Sequence, residues 1–514
     1  MSEPRSEAAA PVDAPAFGPV TVTPDDARYD SLVEGYNHRF VGRPDYIRLV
    51  GTPAQVVAAV DEAVAAGRRI AVRSGGHCFE DFTASPDVQV VLDMSAMKAV
   101  YFDDQRRAFA IEAGATLGHV YRTLFTGWGV TIPGGTCFEV GVGGHIAGGG
   151  YGHLSRRDGL VVDHLYAVEV VVVDESGRAR TVVATREDDD PNRELWWAHT
   201  GGGGGSFGVV TRYWLRTPGV DSDDPRELLP KAPRRMRRAT VLWSWDGMTE
   251  AALTGLIRNY CSWYEENSAA DSPYVHLWSN LIVTHRSAGM FGMTAVIDED
   301  VPDAEKLLTA QVEAVCAGTG VDPTTNIQEV IPWMSSWLPS YSWPNDPNGR
   351  YKHKAGYLRK GYSDRQLAAI HRHLSSTDYS NPQACLVLTG FGGRAGAVAP
   401  DATATAQRDS VLKASYSAGM WTAKDEDELH IAWVREYYRD VYAHTGGVPA
   451  PDGISDGSYI SYPDTDLADP ELNTSGVPWH ALYYKDNYPR LQAVKKNYDP
   501  RNVFRHALSI ELPD

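Results

Sequence analysis

The sequence predicts an α+β protein built from two large domains, and three observations support this prediction. The chain has 514 residues, more than one hydrophobic core usually serves. Short helical and strand patterns alternate through the first part of the chain. Composition then changes over residues 217–231, where Pro, Asp and Glu cluster as they do in linkers. We therefore place a boundary between two domains at residues 219 and 220.

Order is expected to begin near Tyr29, because residues 1–28 are rich in Ala, Pro, Glu and Ser and are predicted to form a disordered tail. The first long helix is expected to have Thr52 as its N-cap and Pro53 in its first turn, and to end at Gly67. Further strands are predicted at 70–72, 88–92 and 108–112, a helix at 117–125, and a hairpin that pairs 169–173 with 180–184 around Asp-Glu-Ser-Gly.

Composition and charge exclude several classes of function. A hydrophobic content of 43% is typical of a globular protein, and a net charge of −18 argues against nucleic-acid and anionic-membrane partners. The five cysteines are few and widely spaced, so neither a disulfide framework nor a metal site is expected. The N-terminal residues contain no apolar run long enough for a signal peptide or a membrane span, which makes a cytoplasmic protein the simplest interpretation. The sequence does not indicate an oligomeric state.

Residues 134–152 contain nine glycines in nineteen positions, together with one cysteine, Cys137. Glycine at this density, outside a repeat, indicates a backbone that wraps closely around a ligand. A second glycine loop, Arg73-Ser-Gly-Gly-His-Cys78, follows the strand predicted at 70–72 and carries His77. An isolated histidine or free cysteine is more often structural than reactive. Two glycine loops that each present one nucleophilic side chain are nevertheless hard to explain by packing alone.

Two common nucleotide sites are not supported. The five glycines at 201–205 are not followed by Lys-Ser or Lys-Thr, so a triphosphate loop is not expected. The chain also has no G-x-G-x-x-G between a strand and a helix with an acidic residue placed after it, which argues against a nicotinamide cofactor.

Together, RSGGHC at 73–78 and GTC..VGVGGH..GGGYG at 135–152 resemble the berberine-bridge-enzyme-like FAD-linked oxidases, which have the vanillyl-alcohol-oxidase or PCMH-type FAD-binding fold. The C-terminal segments NTSGVPW..LYYKD..PRLQAVK at 473–495 and RHALS at 505–509 look most like antibiotic-tailoring alcohol oxidases of the tirandamycin type. This resemblance implies a discontinuous FAD-binding domain, in which residues 457–514 return to complete 29–219. It also implies a substrate-binding domain over 220–456, built on an antiparallel sheet covered by helices.

The resemblance further implies FAD bonded at two points, from an imidazole nitrogen of His77 to the 8α carbon and from the Cys137 sulfur to C6 of the flavin. A neutral imidazole and a thiolate are both competent nucleophiles for such bonds. Cys78 adjoins His77 within the FAD site, and we assign its side chain a packing role. The remaining expected FAD contacts are Arg73, Ser74, Gly75, Gly76, Gly135, Thr136, Val140, Gly141, Gly143, Gly144, His145, Gly149, Tyr151, Gly152, Val210, Asn487 and Tyr488.

The resemblance places Val140 on the oxygen-facing side of the flavin, where a small side chain is typical of oxidases; simple packing is the alternative. Tyr459 and Tyr462 match the two tyrosines of the family's G-x-Y-x-N-Y motif, with Ser461 in place of the asparagine. One of them is expected to take the substrate hydroxyl proton. A free phenol has a pKa of about 10, so this role requires help from a neighbour, either the other tyrosine or a lysine. We favour Tyr459, because Ser461 has replaced the residue beside Tyr462.

The sequence therefore predicts an oxidase that converts an alcohol on a bulky secondary metabolite to a ketone or aldehyde and passes electrons to oxygen, with hydrogen peroxide as product. A sugar oxidase that forms a lactone and an amine-oxidising ring-closing enzyme are alternatives. A flavin-loaded binding protein is disfavoured, because storage needs no base. Nine tryptophans in the second domain are expected to be mostly core residues rather than a substrate platform: Trp243, Trp245, Trp263, Trp278, Trp333, Trp337, Trp343, Trp421 and Trp433.

Overall fold

The computed structural model describes residues 17–336 and 349–514, and its mixture of helices and sheets confirms the α+β prediction. No helix among these residues is long and apolar enough to cross a membrane. The first part of the chain contains β1 (Val20–Val22), α1 (Tyr29–Val33), β2 (Tyr46–Leu49), α2 (Pro53–Ala65), β3 (Ile70–Arg73), β4 (Val90–Asp93), β5 (Val100–Asp103), β6 (Ala108–Glu112), α3 (Leu117–Trp128), α4 (Val142–Ala147), α5 (Ser155–Asp158), β7 (Leu165–Val173), β8 (Ala179–Thr185), α6 (Arg193–Ala198) and β9 (Val209–Leu215).

Strands β1 to β4 form a small sheet in the order β1-β2-β4-β3, with β2 and β3 each parallel to β4. The expectation that residues before Tyr29 are disordered is wrong for Val20–Val22. These residues pair antiparallel with β2, and Val22 is fully buried opposite Ile47, so burial of an apolar side chain fixes this segment. Residues 1–16 lie outside the described residues.

The predicted helix after Thr52 is confirmed. The Thr52 hydroxyl accepts a hydrogen bond from the backbone N–H of Gln55, and Pro53 occupies the first turn of α2. The apolar face of α2 packs between β4 and a second, antiparallel sheet of order β5-β6-β9-β7-β8. The hairpin of β7 and β8 is also as predicted. Loops from both sheets lead toward the cavity described below.

A seven-stranded antiparallel sheet dominates the second domain, in the order β13-β10-β12-β11-β15-β16-β14. One face packs on a layer of helices, where the Tyr260 hydroxyl donates to the Ser279 carbonyl. Its elements are β10 (Arg235–Ser244), α7 (Glu250–Asn267), β11 (Leu277–Thr284), β12 (Met290–Asp298), α8 (Ala304–Cys316), β13 (Thr325–Pro332), β14 (Arg350–Leu358), α9 (Asp364–Leu374), β15 (Cys385–Gly390), β16 (Leu412–Trp421) and α10 (Asp427–Val441).

The expectation that the tryptophans are mostly core is confirmed for those described. Seven are buried, and of these only Trp278 lines the cavity: Trp243, Trp245, Trp263, Trp278, Trp333, Trp421 and Trp433. Trp337 and Trp343 lie outside the described residues.

The C-terminal segment runs from the edge of the large sheet back to the first part of the chain. It contains α11 (Trp479–Tyr484) and α12 (Tyr488–Tyr498). The buried Lys495 ammonium donates to the backbone carbonyl of Ser206, at 2.7 Å, and pairs with Asp499. This anchoring holds the start of the segment, with Tyr459 and Tyr462, between the glycine loops and the sheet.

Candidate active site

A cavity of about 470 Å³ lies between the glycine loops and the face of the large sheet that its helices do not cover. It is lined by all of the predicted FAD and catalytic residues except Gly149, Asn487 and Tyr488. The fold thus brings together residues that are far apart in sequence, from Arg73 to Tyr462. A single site of this size and composition is the expected location of catalysis.

The two glycine loops touch each other through their backbones. A Cβ atom built on Gly75 would lie 2.3 Å from the backbone nitrogen of Gly141, and one on Gly141 would lie 2.2 Å from that of Gly75. No side chain fits at either position without moving a main chain. At Gly144, in contrast, a Cβ would meet no protein atom within 4 Å. These glycines therefore serve two purposes, close contact between the loops and close access of a ligand to α4.

His77 is held against an aromatic ring at the end of the first loop. Its imidazole stacks on Tyr36 with ring centroids 4.6 Å apart, and Tyr36 stacks in turn on Tyr351. Burial lowers the pKa of His77 to about 4. The imidazole is therefore neutral at pH 7, which is the nucleophilic form.

The cysteine side chains differ in their surroundings. Burial raises the pKa of the Cys78 thiol to about 12, consistent with the packing role assigned to it. Burial also raises the pKa of Cys137, although the backbone N–H groups of Glu139 and Val140 oppose that shift. Cys137 lies near enough to Tyr36 and Tyr462 to add to the pKa increase that burial causes in each phenol. His77 and Cys137 both line the same cavity.

Backbone amides of the first loop point to an anionic ligand. The N–H groups of Gly75, Gly76 and His77 donate to no acceptor among the described residues. Gly76 has a φ of +73°, so successive amides turn inward as they do in anion-binding nests. The Arg73 guanidinium at the base of the loop is committed to a buried ion pair with Asp93, at 2.7 Å. The loop therefore offers amide donors rather than a free side-chain cation.

His145 fixes the second loop. Its Nε2 accepts a hydrogen bond from the Gly135 backbone N–H at 3.0 Å, and the Tyr121 hydroxyl donates to the Gly135 carbonyl at 2.6 Å. Burial lowers the pKa of His145 to about 4, and this imidazole remains a neutral acceptor. These two contacts position Thr136 and Cys137 at the cavity wall.

A buried lysine that sequence reasoning missed lies beside the predicted catalytic tyrosines. The Lys413 Nζ is 3.3 Å from the ring centroids of both Tyr151 and Tyr459 and 5.6 Å from that of Tyr462. It has no hydrogen-bond partner among the described residues. Burial lowers its pKa well below the usual value for lysine. The only sequence signal was an alternation of polar residues at 413, 415 and 417 in β16, which usually indicates a solvent-facing strand.

The two candidate bases make different hydrogen bonds. The Tyr459 hydroxyl accepts from the Gly150 backbone N–H at 3.3 Å, and the Tyr462 hydroxyl shares a hydrogen bond with Tyr151 at 2.9 Å. Burial raises the pKa of both phenols, and the Ser461 hydrogen bond opposes this shift at Tyr459. Of the two, only Tyr459 combines an amide donor with a lysine amine close to its ring; the amide favours its phenolate, and so would the amine when protonated.

Three residues predicted to contact the cofactor are not among those that line the cavity. Gly149 packs on Thr405, where an added Cβ would lie 2.8 Å from the hydroxyl oxygen. The Asn487 amide donates to the carbonyl of Pro400 at 2.8 Å, bracing a loop. The Tyr488 ring stacks on His480 with centroids 3.9 Å apart. All three contacts stabilise the C-terminal segment and its neighbours.

Comparison with known proteins agrees with the site. The family profile described as "FAD binding domain" matches residues 44–182, and that described as "Berberine and berberine like" matches residues 458–511. The chain is 53% identical to the aclacinomycin-N/aclacinomycin-A oxidase of Streptomyces galilaeus over 99% of this chain and 94% of that protein. A solved flavoenzyme of shunt product recycling in caerulomycin biosynthesis shares 53% identity and a TM-score of 0.94, over 96% of this chain and 99% of that one. A solved glycopeptide hexose oxidase complexed with teicoplanin shares 52% identity and a TM-score of 0.92, over 97% of this chain and 100% of that one.

The fold and the cavity define a flavin-dependent oxidoreductase with a PCMH-type FAD-binding fold. The unpaired amides of the first loop and the open approach to Gly144 suit the pyrophosphate and the ring system of FAD. The chain belongs to the berberine-bridge-like family of FAD-linked oxidases.

Proposed function

We propose that this oxidase converts an alcohol on a bulky small molecule to a ketone or aldehyde, with molecular oxygen as the acceptor and hydrogen peroxide as the product. One observation carries the proposal: Tyr459 accepts an amide N–H from Gly150 while Lys413 lies 3.3 Å from its ring, at the wall of the cofactor cavity. Alcohol oxidation needs a group that accepts the hydroxyl proton. Tyr459 is that group.

Lys413 and Gly150 make the phenolate accessible in a buried site. Burial alone disfavours both the phenolate of Tyr459 and the ammonium of Lys413. A protonated Lys413 and an ionised Tyr459 would stabilise each other, because their attraction offsets the burial of each charge. Tyr459 then takes the substrate hydroxyl proton. Bound FAD supplies the hydride acceptor.

We infer that FAD is attached through both His77 and Cys137. The neutral imidazole of His77 supports this inference, as does the position of both side chains at the wall of one cavity. Val140 lines the same cavity and is half-buried, which agrees with a role in admitting oxygen.

The names of the relatives support a bulky, sugar-bearing substrate. Aclacinomycin and teicoplanin appear in the names of two proteins that share more than half of this sequence over most of its length. A screen of simple alcohols, free hexoses and glycosylated polyketides with peroxide detection tests the proposal. Peroxide formed only with the glycosylated polyketides is expected. Activity on free hexoses alone would favour a lactone-forming sugar oxidase, and no peroxide with any alcohol would contradict the proposal.

A further inference from the structure

Strand β14, at one edge of the large sheet, carries two buried lysines on the face that points away from the cavity. Side chains alternate between the two faces of a strand, and His353 of β14 lines the cavity. Its neighbours Lys352 and Lys354 therefore project from the opposite face, and both are buried. Lysine is rarely buried unless its charge is paired. The groups that pair with these lysines connect β14 to two segments of the candidate active site.

Two of the paired groups are buried carboxylates that follow the candidate catalytic tyrosines in the chain. Asp464 lies two residues after Tyr462 and is fully buried. One oxygen of its carboxylate is 2.7 Å from the Lys352 ammonium, and the other is 2.5 Å from the Lys354 ammonium. The Asp466 carboxylate lies 3.3 and 2.9 Å from the same two ammonium groups. Ion pairs with both lysines therefore hold the end of the tyrosine segment, residues 459–466, against β14.

A third carboxylate follows the glycine loop that carries His77. Glu80 comes three residues after His77, is buried, and lies 2.9 Å from the Lys352 ammonium. Phe79 stacks on the other side of the same strand, with its ring centroid 4.2 Å from that of His353. The chain after His77 thus places one residue against each face of β14. Lys352 consequently contacts both the His77 loop and the tyrosine segment.

These groups belong to a charge cluster that has equal numbers of cations and carboxylates. Arg435 of α10 completes it, because its guanidinium pairs with Asp466 at 2.7 Å. Apolar side chains of the same volume often stabilise a core as well as buried ion pairs do, so stability alone does not explain the cluster. Apolar contact has no preferred direction, whereas bridged ion pairs fix the distance and angle between the groups that they join. The cluster is therefore suited to placing its segments. Its members are Glu80, Lys352, Lys354, Arg435, Asp464 and Asp466.

We propose that Lys352 is a positioning residue for the oxidation, which fixes the distance between the His77 loop and the base, Tyr459. The proposal rests on the proposed function, because it requires Tyr459 as the base and FAD at the His77 loop. Tyr459 is close to the anchored end of its segment, since its carbonyl accepts a hydrogen bond from the Tyr462 N–H at 2.9 Å. Lys352 is not among the residues that line the cavity. It therefore acts through the two segments that it joins.

Positioning of this kind has a distinct kinetic signature. A shift of ~1 Å in a reacting group can lower the rate about a hundredfold. Substrate affinity depends on the other walls of the cavity, which Lys352 does not contact. Loss of Lys352 should therefore lower the limiting rate of flavin reduction and leave the Kd of the substrate unchanged. General destabilisation would instead follow the net charge of the charge cluster, which can be varied independently of the bridge.

Three variants separate the bridge from the charge balance. Lys352→Met removes the bridge and leaves the charge cluster with one excess negative charge. Lys352→Met/Glu80→Gln also removes the bridge but restores the balance of charge. Arg435→Gln is the matched control, because it creates the same excess charge at a cation paired with Asp466. Each flavin-loaded protein is mixed anaerobically with an alcohol that wild-type enzyme oxidises in the peroxide screen, and stopped-flow absorbance over a range of substrate concentrations gives the limiting reduction rate and the Kd.

We expect Lys352→Met to lower the limiting rate at least about tenfold, to change the Kd less than about twofold and to lower the Tm. The double variant should recover most of the lost Tm but not the rate, and it carries the same test if Lys352→Met does not fold. Arg435→Gln should lower the Tm and keep the wild-type rate.

Two results would show that the charge cluster acts through stability alone and would overturn the positioning role. One is recovery of the reduction rate together with the Tm in the double variant, and the other is an equal slowing in Arg435→Gln. A wild-type rate in Lys352→Met would overturn it as well, while leaving the proposed function intact. If no alcohol in the screen reduces the wild-type flavin, the proposed function fails and the positioning role fails with it.

Discussion

Replacement of Lys413 by methionine tests whether this lysine activates Tyr459. Its Nζ lies 3.3 Å from the Tyr459 ring centroid and has no other polar partner among the described residues. A desolvated cation–π contact is worth about 2 kcal/mol. Attraction between the protonated amine and the phenolate would add to this value. Using the cation–π value alone, we expect Lys413→Met to slow anaerobic flavin reduction by substrate at least about thirtyfold.

Variants of the two tyrosines test whether Lys413 acts through Tyr459. Tyr459→Phe keeps the ring but removes the hydroxyl, and should slow reduction by at least about a hundredfold. Tyr462→Phe should slow it less than tenfold, because Lys413 is 5.6 Å from that ring. The Lys413→Met/Tyr459→Phe double variant should be no slower than Tyr459→Phe alone, since the lysine acts through the phenol.

Thermal unfolding and stopped-flow absorbance provide the controls. Methionine removes an unpaired buried amine, so the Tm of Lys413→Met should not fall. A lower Tm together with slow reoxidation would indicate general damage to the site. Additive effects in the double variant, or near wild-type reduction in Tyr459→Phe, would refute the reasoning.

Three further predictions concern the glycine loops and their surroundings. In a Cys137→Ala background, attachment of FAD to the apoprotein through His77 should be constant from pH 8 to about 6 and should fall toward pH 4, because the pKa of about 4 leaves the imidazole neutral above that value. The absorbance of acid-stable flavin measures the extent of attachment. A midpoint near pH 6.5 would contradict the argument that burial lowers the pKa of His77. Val140→Leu should slow reoxidation of reduced flavin without slowing anaerobic reduction; equal losses in both half-reactions of a stopped-flow experiment would exclude a role in oxygen access. Glu80→Gln should lower the Tm by several degrees, because it leaves the buried Lys352 ammonium without one of its carboxylates; an unchanged Tm would show that Asp464 and Asp466 suffice.

Much of the first domain could be predicted from local sequence. The Thr52 cap and the β7–β8 hairpin depend on nearby contacts, which local patterns record, and the strand before His77 has an apolar run of its own. The first strand, Val20–Val22, could not be predicted, because its partner β2 lies more than twenty residues away. A short strand at the end of a polar tail has no local signal of its own.

The residues of the candidate site also fall into those that local sequence predicts and those that it does not. Glycine-rich loops indicate close backbone contact, so His77 and Cys137 could be selected from the sequence as candidate site residues. Lys413 belongs to a strand whose alternating polar residues, at 413, 415 and 417, are indistinguishable from a solvent-facing pattern. Only the packing of the C-terminal segment against that face shows that it lines a cavity. The Asn487 amide donates to the carbonyl of Pro400, which lies 87 residues away, and no local pattern records such a contact.

The most direct test of the account is mass spectrometry of the purified, acid-denatured protein. We predict an intact mass increased by one FAD, and a proteolytic digest in which the peptides containing His77 and Cys137 are joined through the same flavin. His77→Ala and Cys137→Ala should each retain flavin on the remaining peptide, and the double variant should retain none. An unmodified mass for the wild-type chain, with all flavin released by acid, would contradict the claim that the two glycine loops bind one FAD covalently.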